Sequence, residues 1–388
     1  MNAQITQAVQ TAGESENLES MDPALSRGWI AEKKKFIILA ADIVALLLLY
    51  KFLPYAPKTN AGLAMLFFVG VLWLTEALHI TITALLVPVL AVAFGLMNVT
   101  ASLKSFADPT IFLFFGGFAL ATALHIQGID RFIAHRLLFF SRGHLGGAAI
   151  LLFLATAALS MWISNTATAA MMLPLTLGLL SSLDAEKERG VYLFLLLGVA
   201  YSASIGGLGT LVGSPPNASA AAHLGLDFMG WMKFGLPVML ILLPLMIGIL
   251  YLVFRPNLKH RVQVEAHEFV WTKPRLATIG IFLLAALCWI FSAKISALLG
   301  DVKQFDSVVA IGAAILIGIS GVATWKQIQT NTEWGILFLF GGGIALSDIL
   351  RDSGASVVMA QLISGWLGDG HWFLIIAVSA AFIILLTE

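Results

Sequence analysis

Long apolar stretches separated by short polar connections make up most of the chain. Each stretch holds roughly 18 residues or more, enough for a helix to cross a hydrocarbon core of about 30 Å. The alternation over about 10 residues that a membrane β-barrel requires is absent. The pattern therefore predicts an all-α polytopic membrane protein. The predicted spans are residues 36–53, 61–78, 80–97, 110–128, 147–182, 190–222, 227–254, 275–299, 306–323, 333–350 and 370–388.

The span predicted at 147–182 is too long for one straight crossing and has a polar interruption within LSMWISNTATAAMMLPL at 159–175. Polar groups in lipid need partners, so this position predicts the tip of a re-entrant hairpin. At such a tip, unwound backbone offers carbonyl oxygens to Na⁺, and the following half-helix points its amides at an anion. Alternatively, the hydroxyls only hold neighbouring helices together. The polar residues are Ser160, Ser164, Asn165, Thr166 and Thr168.

The span predicted at 190–222 has its own interruption, GGLGTLVGSPPNASA at 206–220. The glycines weaken a helix, and Pro215-Pro216 removes two amide donors and disfavours helix at the preceding residue. A second unwound loop is therefore predicted, with carbonyls from Thr210 to Gly213 for a cation and with Ser214 and Asn217 for a substrate. The alternative is a proline kink that serves only packing.

Basic residues predict the orientation, since cytoplasmic loops carry an excess of Lys and Arg. If Lys33 to Lys35 are cytoplasmic, the later basic clusters share that side only when 147–182 enters and leaves on one face. This indicates a hairpin again and predicts a multi-pass protein of the cell inner membrane with a cytoplasmic N-terminus. Residues 131–141 are predicted to form an amphipathic helix on the inner surface.

Composition narrows the partners to the lipid bilayer and small solutes. Of the 388 residues, 59% are hydrophobic and 11% are charged, whereas soluble domains carry about 25% charged residues. The net charge of zero argues against nucleic acid, which needs a basic patch. No histidine pair has the HExxH-like spacing of a metal-dependent hydrolase, so no enzyme is expected.

The acidic residues Asp42 and Glu76 form either a proton relay or hydrogen bonds between helices and with the interface.

The chain contains a repeat. FFGGFALATAL at 114–124 matches FGGGIALSDIL at 340–350, an offset of about 226 residues. The second copy begins an odd number of crossings after the first, which predicts an inverted repeat typical of secondary transporters. If the alignment of the two copies includes a gap of one residue, Thr387 aligns with Ser160. The second polar tip would then fall just past Glu388, so the sequence is expected to be truncated.

Residues 160–175 (SMWISNTATAAMMLPL) together with 209–218 (GTLVGSPPNA) resemble the paired signatures of the divalent anion/sodium symporter family, the sodium-coupled dicarboxylate transporters. The resemblance implies a homodimer in which a scaffold holds an elevator-type transport domain with two re-entrant hairpins. It also implies two groups of site residues. The sodium-binding residues would be Ser160, Ser164, Asn165 and Gly213, with a second site beginning at Thr387, and the substrate-binding residues would be Asn165, Thr166, Ser214 and Pro215.

The expected function is Na⁺-coupled symport of C4-dicarboxylates such as succinate, malate or fumarate. No lysine or arginine lies near the predicted tips, so bound Na⁺ would supply the positive charge. A citrate or sulfate transporter of the same family is the nearest alternative, and a channel, a non-transporting scaffold or an inactive fragment is the alternative of another class. The expected organisation is a disordered cytoplasmic tail (1–31), scaffold helices (32–130 and 226–350), a transport-domain part (131–225) and the start of a second hairpin (351–388).

Overall fold

A computed structural model describes residues 23–261 and 269–367, with side chains from residue 33 to residue 362 except at 223 and in the gap. The described residues are almost entirely helical and contain no β-strand, apart from an isolated bridge between His144 and Arg261. The helices are α1 (Pro23–Phe52), α2 (Pro57–Thr75), α3 (Ile80–Ala93), α4 (Val99–Lys104), a short 3-10 helix (Ser105–Ala107), α5 (Pro109–Ile126), α6 (Ile129–Phe139), α7 (Leu145–Ser160), α8 (Asn165–Leu180), α9 (Arg189–Gly207), α10 (Pro215–Leu224), α11 (Phe228–Phe254), α12 (Lys273–Ile290), α13 (Ser292–Leu298), α14 (Phe305–Ile319), α15 (Trp325–Asn331), α16 (Trp334–Asp352) and α17 (Ala355–Leu367).

The prediction of an all-α polytopic membrane protein is confirmed. Six helical segments of the described chain are long and apolar enough to cross a membrane, with mean hydropathy between 1.3 and 2.6. Shorter apolar helices, among them α7, α8 and α14, lie between them. The six segments are Pro57–Thr75, Val99–Ile126, Arg189–Gly207, Phe228–Phe254, Lys273–Ile290 and Trp334–Asp352.

Both predicted helix breaks are present. The segment 147–182 is divided into α7 and α8 by residues 161–164, and 190–222 is divided into α9 and α10 by residues 208–214. The prediction of one uninterrupted helix over 275–299 is wrong, because α12 ends at Ile290 and a separate short α13 follows. Just before that break, the side chain of Trp289 is fully buried, and its Nε1 donates to the carbonyl oxygen of Asp306 at the start of α14. The span predicted at 370–388 lies outside the described residues.

Contacts divide the chain into two compact units. The first combines residues 1–105 with 341–388. Its core contains Met65, Phe68 and Leu72 of α2 together with side chains of α1, α3 and α16. Asp42 is 3% exposed, and neither of its carboxylate oxygens has a hydrogen-bond partner among the described residues, so the expected bond between helices is not observed there. Glu76 is exposed and ends α2 in the left-handed conformation.

The second unit, residues 106–340, contains two apolar cores. One surrounds α5, α12 and α14, where the fully buried Phe114 and Trp289 lie. The other joins α7, α8, α9 and α11, with the ring of Phe153 edge-on to that of Phe194 at 5.3 Å. This second core holds the broken helices in place.

The glycines of the repeated motif are close-packing positions within each unit. A Cβ on Gly116 would lie 2.3 Å from the carbonyl oxygen of Ala310, and a Cβ on Gly342 would lie 2.8 Å from Cα of Ala84. The two contacts have equivalent partners, because adding the repeat offset of 226 to 116 gives 342 and adding it to 84 gives 310. The matching segments therefore make matching helix contacts.

Candidate functional site

Helices α7 and α8 form an antiparallel hairpin on α9. The ring of Phe153 packs on Gly198, and Ser160 Oγ donates to the carbonyl oxygen of Ala203 at 2.7 Å, so α7 runs parallel to α9. Tyr192 Oη, near the start of α9, donates to the carbonyl oxygen of Leu180, at the end of α8. Because α8 begins beside the end of α9 and ends beside its start, the chain reverses at 161–164. The reversal is observed, whereas its re-entrant placement in a membrane stays a prediction.

The turn at 161–164 is anchored by an aromatic side chain and closed by a cap. Trp162 lies 4.9 Å from the ring of Phe282, edge-on, and is stacked at 6.0 Å on Phe228. Ser164 then begins α8, where its Oγ accepts from the amide of Ala167 at 3.4 Å, as a serine N-cap does. The tip is thus a fixed element of the second unit.

Asn165 connects three parts of this site. Its side-chain amide has one end directed at three oxygens: Ser160 Oγ at 2.8 Å, the carbonyl of Ala203 at 3.1 Å and that of Gly213 at 3.3 Å. Ser160 Oγ already uses its hydrogen on Ala203. We therefore assign Nδ2 to this end, since amide orientation follows from the hydrogen bonds it satisfies. Asn165 thereby links α7, α9 and the loop at 208–214.

Two buried side chains hold the loop at 208–214. The Thr210 hydroxyl donates to the carbonyl of Met161 and accepts from the amide of Gly213. The Asn217 amide nitrogen donates to the carbonyls of Gly207 and Thr210, both at 2.7 Å. The assignment of Asn217 to the substrate is therefore wrong, since its donors are used on the backbone and it is 3% exposed. The supporting position of Thr210 was not expected.

Carbonyl oxygens converge on Gly213. A Cβ there would lie 2.6 Å from the oxygen of Gly207, 2.9 Å from that of Ser160 and 3.0 Å from that of Met161. These carbonyls stand at the C-terminal ends of α9 and α7, where the helix dipole places partial negative charge; those of Gly207 and Met161 each accept one side-chain hydrogen bond and have a second lone pair. The described residues contain no group of three or more His, Cys, Asp or Glu that could hold a metal ion. Neutral oxygens at broken helices are the ligands by which transporters bind Na⁺.

The opposite ends of the broken helices border a small cavity of about 110 Å³. Helix α8 begins there with Asn165 and Thr166, and α10 begins there with Pro215. The amides at the start of α8 and the dipole of both helices favour an anion here, although Pro215 and Pro216 leave the first turn of α10 without two of its amide donors. Ser214 lies between two residues that line this cavity but is not itself among them; its backbone is extended, and its side chain makes no cap hydrogen bond. None of the residues that line it is basic.

A second, larger cavity of about 1250 Å³ meets the same tip. Ser164 and Glu333 line both cavities, and Ser164 Oγ donates to Glu333 Oε1 at 2.9 Å. Glu333 was not among the predicted site residues, because it is an isolated acid at the start of the predicted span 333–350 and lies 169 residues from Ser164. Thr387, the expected start of a second sodium site, lies outside the described residues. Basic and histidine side chains also line the larger cavity, namely His125, Arg131, His135, Arg136 and Arg275.

Comparisons with known proteins fit this architecture. A family model described as CitMHS, citrate transporter, matches residues 70–388. The chain is 57% identical over 362 residues to an uncharacterized transporter of Haemophilus influenzae, covering 92% of this chain and 78% of the relative. It is 37% identical to an uncharacterized transporter of Methanocaldococcus jannaschii, covering 81% and 71% of the two chains.

A more distant relative carries a more specific name. The sodium-dependent dicarboxylate transporter SdcS of Staphylococcus saprophyticus is 28% identical over 367 residues, covering 84% of this chain and 69% of the relative. These relatives are transporters and not enzymes. The expected resemblance to divalent anion/sodium symporters is confirmed at the level of the family. The chain belongs to the citrate transporter family, CitMHS, and is a multi-pass membrane transporter.

Proposed function

We propose that this protein is a Na⁺-coupled symporter of C4-dicarboxylates such as succinate, malate and fumarate. The observation that carries the proposal is the position of Asn165. Its Nδ2 contacts the carbonyl oxygens of Ala203 and Gly213, and the same residue lines the small cavity at the start of α8. One side chain therefore joins the carbonyl-rich ends of α7 and α9 to the cavity at the start of α8.

This arrangement gives a physical route for coupling. A cation among the carbonyls would displace the Nδ2 contacts of Asn165 and turn its Oδ1 toward the ion, and it would bring a positive charge to a cavity lined by no basic residue. Each bound ion would then strengthen the binding of the other by the same factor, because linkage between two sites is reciprocal. In this proposal Na⁺ is held by Ser160, Ser164, Asn165 and Gly213, with Thr387 beginning a second site, and the substrate carboxylate by Asn165, Thr166, Ser214 and Pro215.

The choice of substrate has support from the relatives. The name of SdcS supports sodium and a dicarboxylate. The description of the family model, citrate transporter, supports citrate as the second candidate. Both are small anions with several carboxylates, for which the amides at the start of α8, the hydroxyl of Thr166 and the dipoles of α8 and α10 are suitable partners. Sulfate shares the charge but not the length of these substrates.

We also propose an inverted repeat and a homodimer with elevator-type movement. The equivalent contacts of Gly116 with Ala310 and of Gly342 with Ala84 support the repeat. In this proposal residues 131–225 belong to the moving part, residues 32–130 and 226–350 to the scaffold, and residues 351–388 to the beginning of a second hairpin. The N-terminus is cytoplasmic in the inner membrane.

Uptake by the purified protein in liposomes tests the function. We expect labelled succinate to accumulate when an inward Na⁺ gradient is imposed and not when K⁺ replaces Na⁺. Unlabelled citrate and sulfate, added as competitors, rank the alternatives. Asn165→Ala should reduce uptake to the background of empty liposomes while the protein keeps its elution position in size-exclusion chromatography. Uptake that is indifferent to the Na⁺ gradient would contradict symport and favour a channel.

A further inference from the structure

A carboxylate of the protein itself touches the tip at which the substrate carboxylate is proposed to bind. Glu333 Oε1 accepts a hydrogen bond of 2.9 Å from Ser164 Oγ, the N-cap of α8. Glu333 also lines the small cavity together with Asn165 and Thr166. The side chain is half-buried at the boundary between this cavity and the larger one.

The backbone around Glu333 is fixed by its neighbours. Thr332 Oγ1 donates to the carbonyl of Ile328 at 2.7 Å, and Trp334 Nε1 donates to that of Gln329 at 2.9 Å. The Glu333 carbonyl accepts from the amide of Ile336 at 3.0 Å as α16 begins. Glutamate is not a preferred helix N-cap, and here the carboxylate extends to α8. The position is thus held by the α15–α16 connection.

The Ser164 hydroxyl can serve only one carboxylate at a time. A serine side chain has a single O–H donor, and the structure places that hydrogen on Glu333. A substrate carboxylate that needs the same donor must take it from Glu333. Two carboxylates at one site also repel each other, and no basic side chain lines the small cavity to offset the repulsion.

We propose that Glu333 is a specificity-determining residue that occupies the hairpin tip until a substrate carboxylate displaces it. The inference rests on the proposed function, since it assumes that a substrate carboxylate binds at Asn165 and Thr166, beside the Ser164 hydroxyl that Glu333 accepts from. An anion with one carboxylate only replaces the contact between Glu333 and Ser164, so its net gain in binding free energy is small. An anion with two or three carboxylates makes further contacts and binds in spite of Glu333. The internal carboxylate thereby favours di- and tricarboxylates over monocarboxylates.

Substitution of Glu333 tests this competition. In Glu333→Gln the charge-assisted bond is lost, and we expect the KM for succinate to fall roughly five- to tenfold, with inhibition by acetate strengthened. In Glu333→Asp the charge remains, but the side chain is one methylene shorter and loses contact with Ser164, so we expect a fall of similar direction. Because the binding of substrate and of Na⁺ is linked, the Na⁺ concentration for half-maximal uptake should fall or stay unchanged in both, and it should not rise. Glu186→Gln removes one charge from an exposed loop and should match the wild type.

The outcomes separate the alternatives. An unchanged KM in both Glu333 variants would overturn the proposal, as would a fall in Glu333→Gln alone, which points to a long-range charge effect. A raised Na⁺ requirement would identify Glu333 as a cation ligand instead. Thermal-shift titrations with succinate and citrate measure affinities without transport. If the wild type binds these anions but does not accumulate them, symport is contradicted, and the affinities of the Glu333 variants still test the competition. A wild type and variants that bind neither anion would overturn both proposals.

Discussion

Gly213 lies where the ends of two broken helices meet, and its lack of a side chain is what permits the approach. The carbonyl oxygens of Gly207, Ser160 and Met161 would each be within 3.0 Å of a Cβ at this position. They are backbone atoms, which cannot move aside as the end of a flexible side chain can. Thr210 and Asn217 then fix the surrounding loop through their own hydrogen bonds. The backbone of this loop is therefore positioned before any ion binds.

Gly213→Ala should damage cation binding more than it damages the fold. The added methyl must displace carbonyl oxygens, which costs about 1–3 kcal/mol for an overpacked site. We expect the Na⁺ concentration for half-maximal succinate uptake to rise at least severalfold. Gly178→Ala is the matched control, because a Cβ there meets nothing within 4 Å, and it should leave uptake unchanged. Equal Na⁺ dependence in the two variants would count against the carbonyl cluster as the sodium site.

Each broken helix contributes both of its new ends to the site. The C-terminal ends of α7 and α9 provide carbonyls, and the N-terminal ends of α8 and α10 border the small cavity. Opposite partial charges of the helix dipoles therefore lie on opposite sides of Asn165. The aromatic cluster of Trp162, Phe228 and Trp289 joins the turn to α11 and α12. The packing of neighbouring elements thus decides where the turn is held.

Trp162→Ala should loosen the hairpin tip without disrupting the hairpin helices themselves. The half-buried indole makes stacked and edge-on contacts with three aromatic rings, and truncation of a large aromatic costs about 2 kcal/mol or more. We expect a lower thermal unfolding midpoint, a higher KM for succinate and partial rescue by Trp162→Phe. Trp271→Ala serves as a control, since that exposed ring packs on Phe132 and Phe269 instead. Equal KM effects of the two alanine variants would contradict an anchoring role.

The sequence predicted both helix breaks at the site but not all of the contacts that these segments make. Pro215-Pro216 and the cluster at Ser164-Asn165-Thr166 predicted both breaks, because local chemistry forbids a continuous apolar helix there. The break after Ile290 was not predictable, since the glycine of that apolar run, Gly280, lies ten residues before it and no proline lies within residues 275–299. The contact of Ser164 with Glu333 joins residues 169 positions apart and depends on tertiary packing. Asn217 is one of several polar residues in the segment 206–220, and only the fold shows that its amide holds the backbone.

At the scale of the whole molecule, the two copies of the repeat share helix contacts as well as amino-acid sequence. Gly116 packs on Ala310, and Gly342 packs on Ala84, and the same offset of 226 converts one pair into the other. The proposed duplication with inverted orientation would account for a helix of each copy packing on a helix of the other. The same proposal requires that the hairpin of α7 and α8 enter and leave on one membrane face, so that the loops before and after it share a side.

Cysteine labelling tests that arrangement directly. In a background with Cys288→Ala, Arg142→Cys precedes α7 and Lys187→Cys follows α8, and both native side chains are exposed. A re-entrant hairpin requires that a membrane-impermeant maleimide label both positions from the cytoplasmic side in inside-out vesicles and neither in right-side-out vesicles. Lys303→Cys, in the exposed loop before α14, should show the reverse pattern. If Arg142→Cys and Lys187→Cys were labelled from opposite sides, α7 and α8 would cross the membrane once between them, and the predicted orientation of every later loop would be inverted.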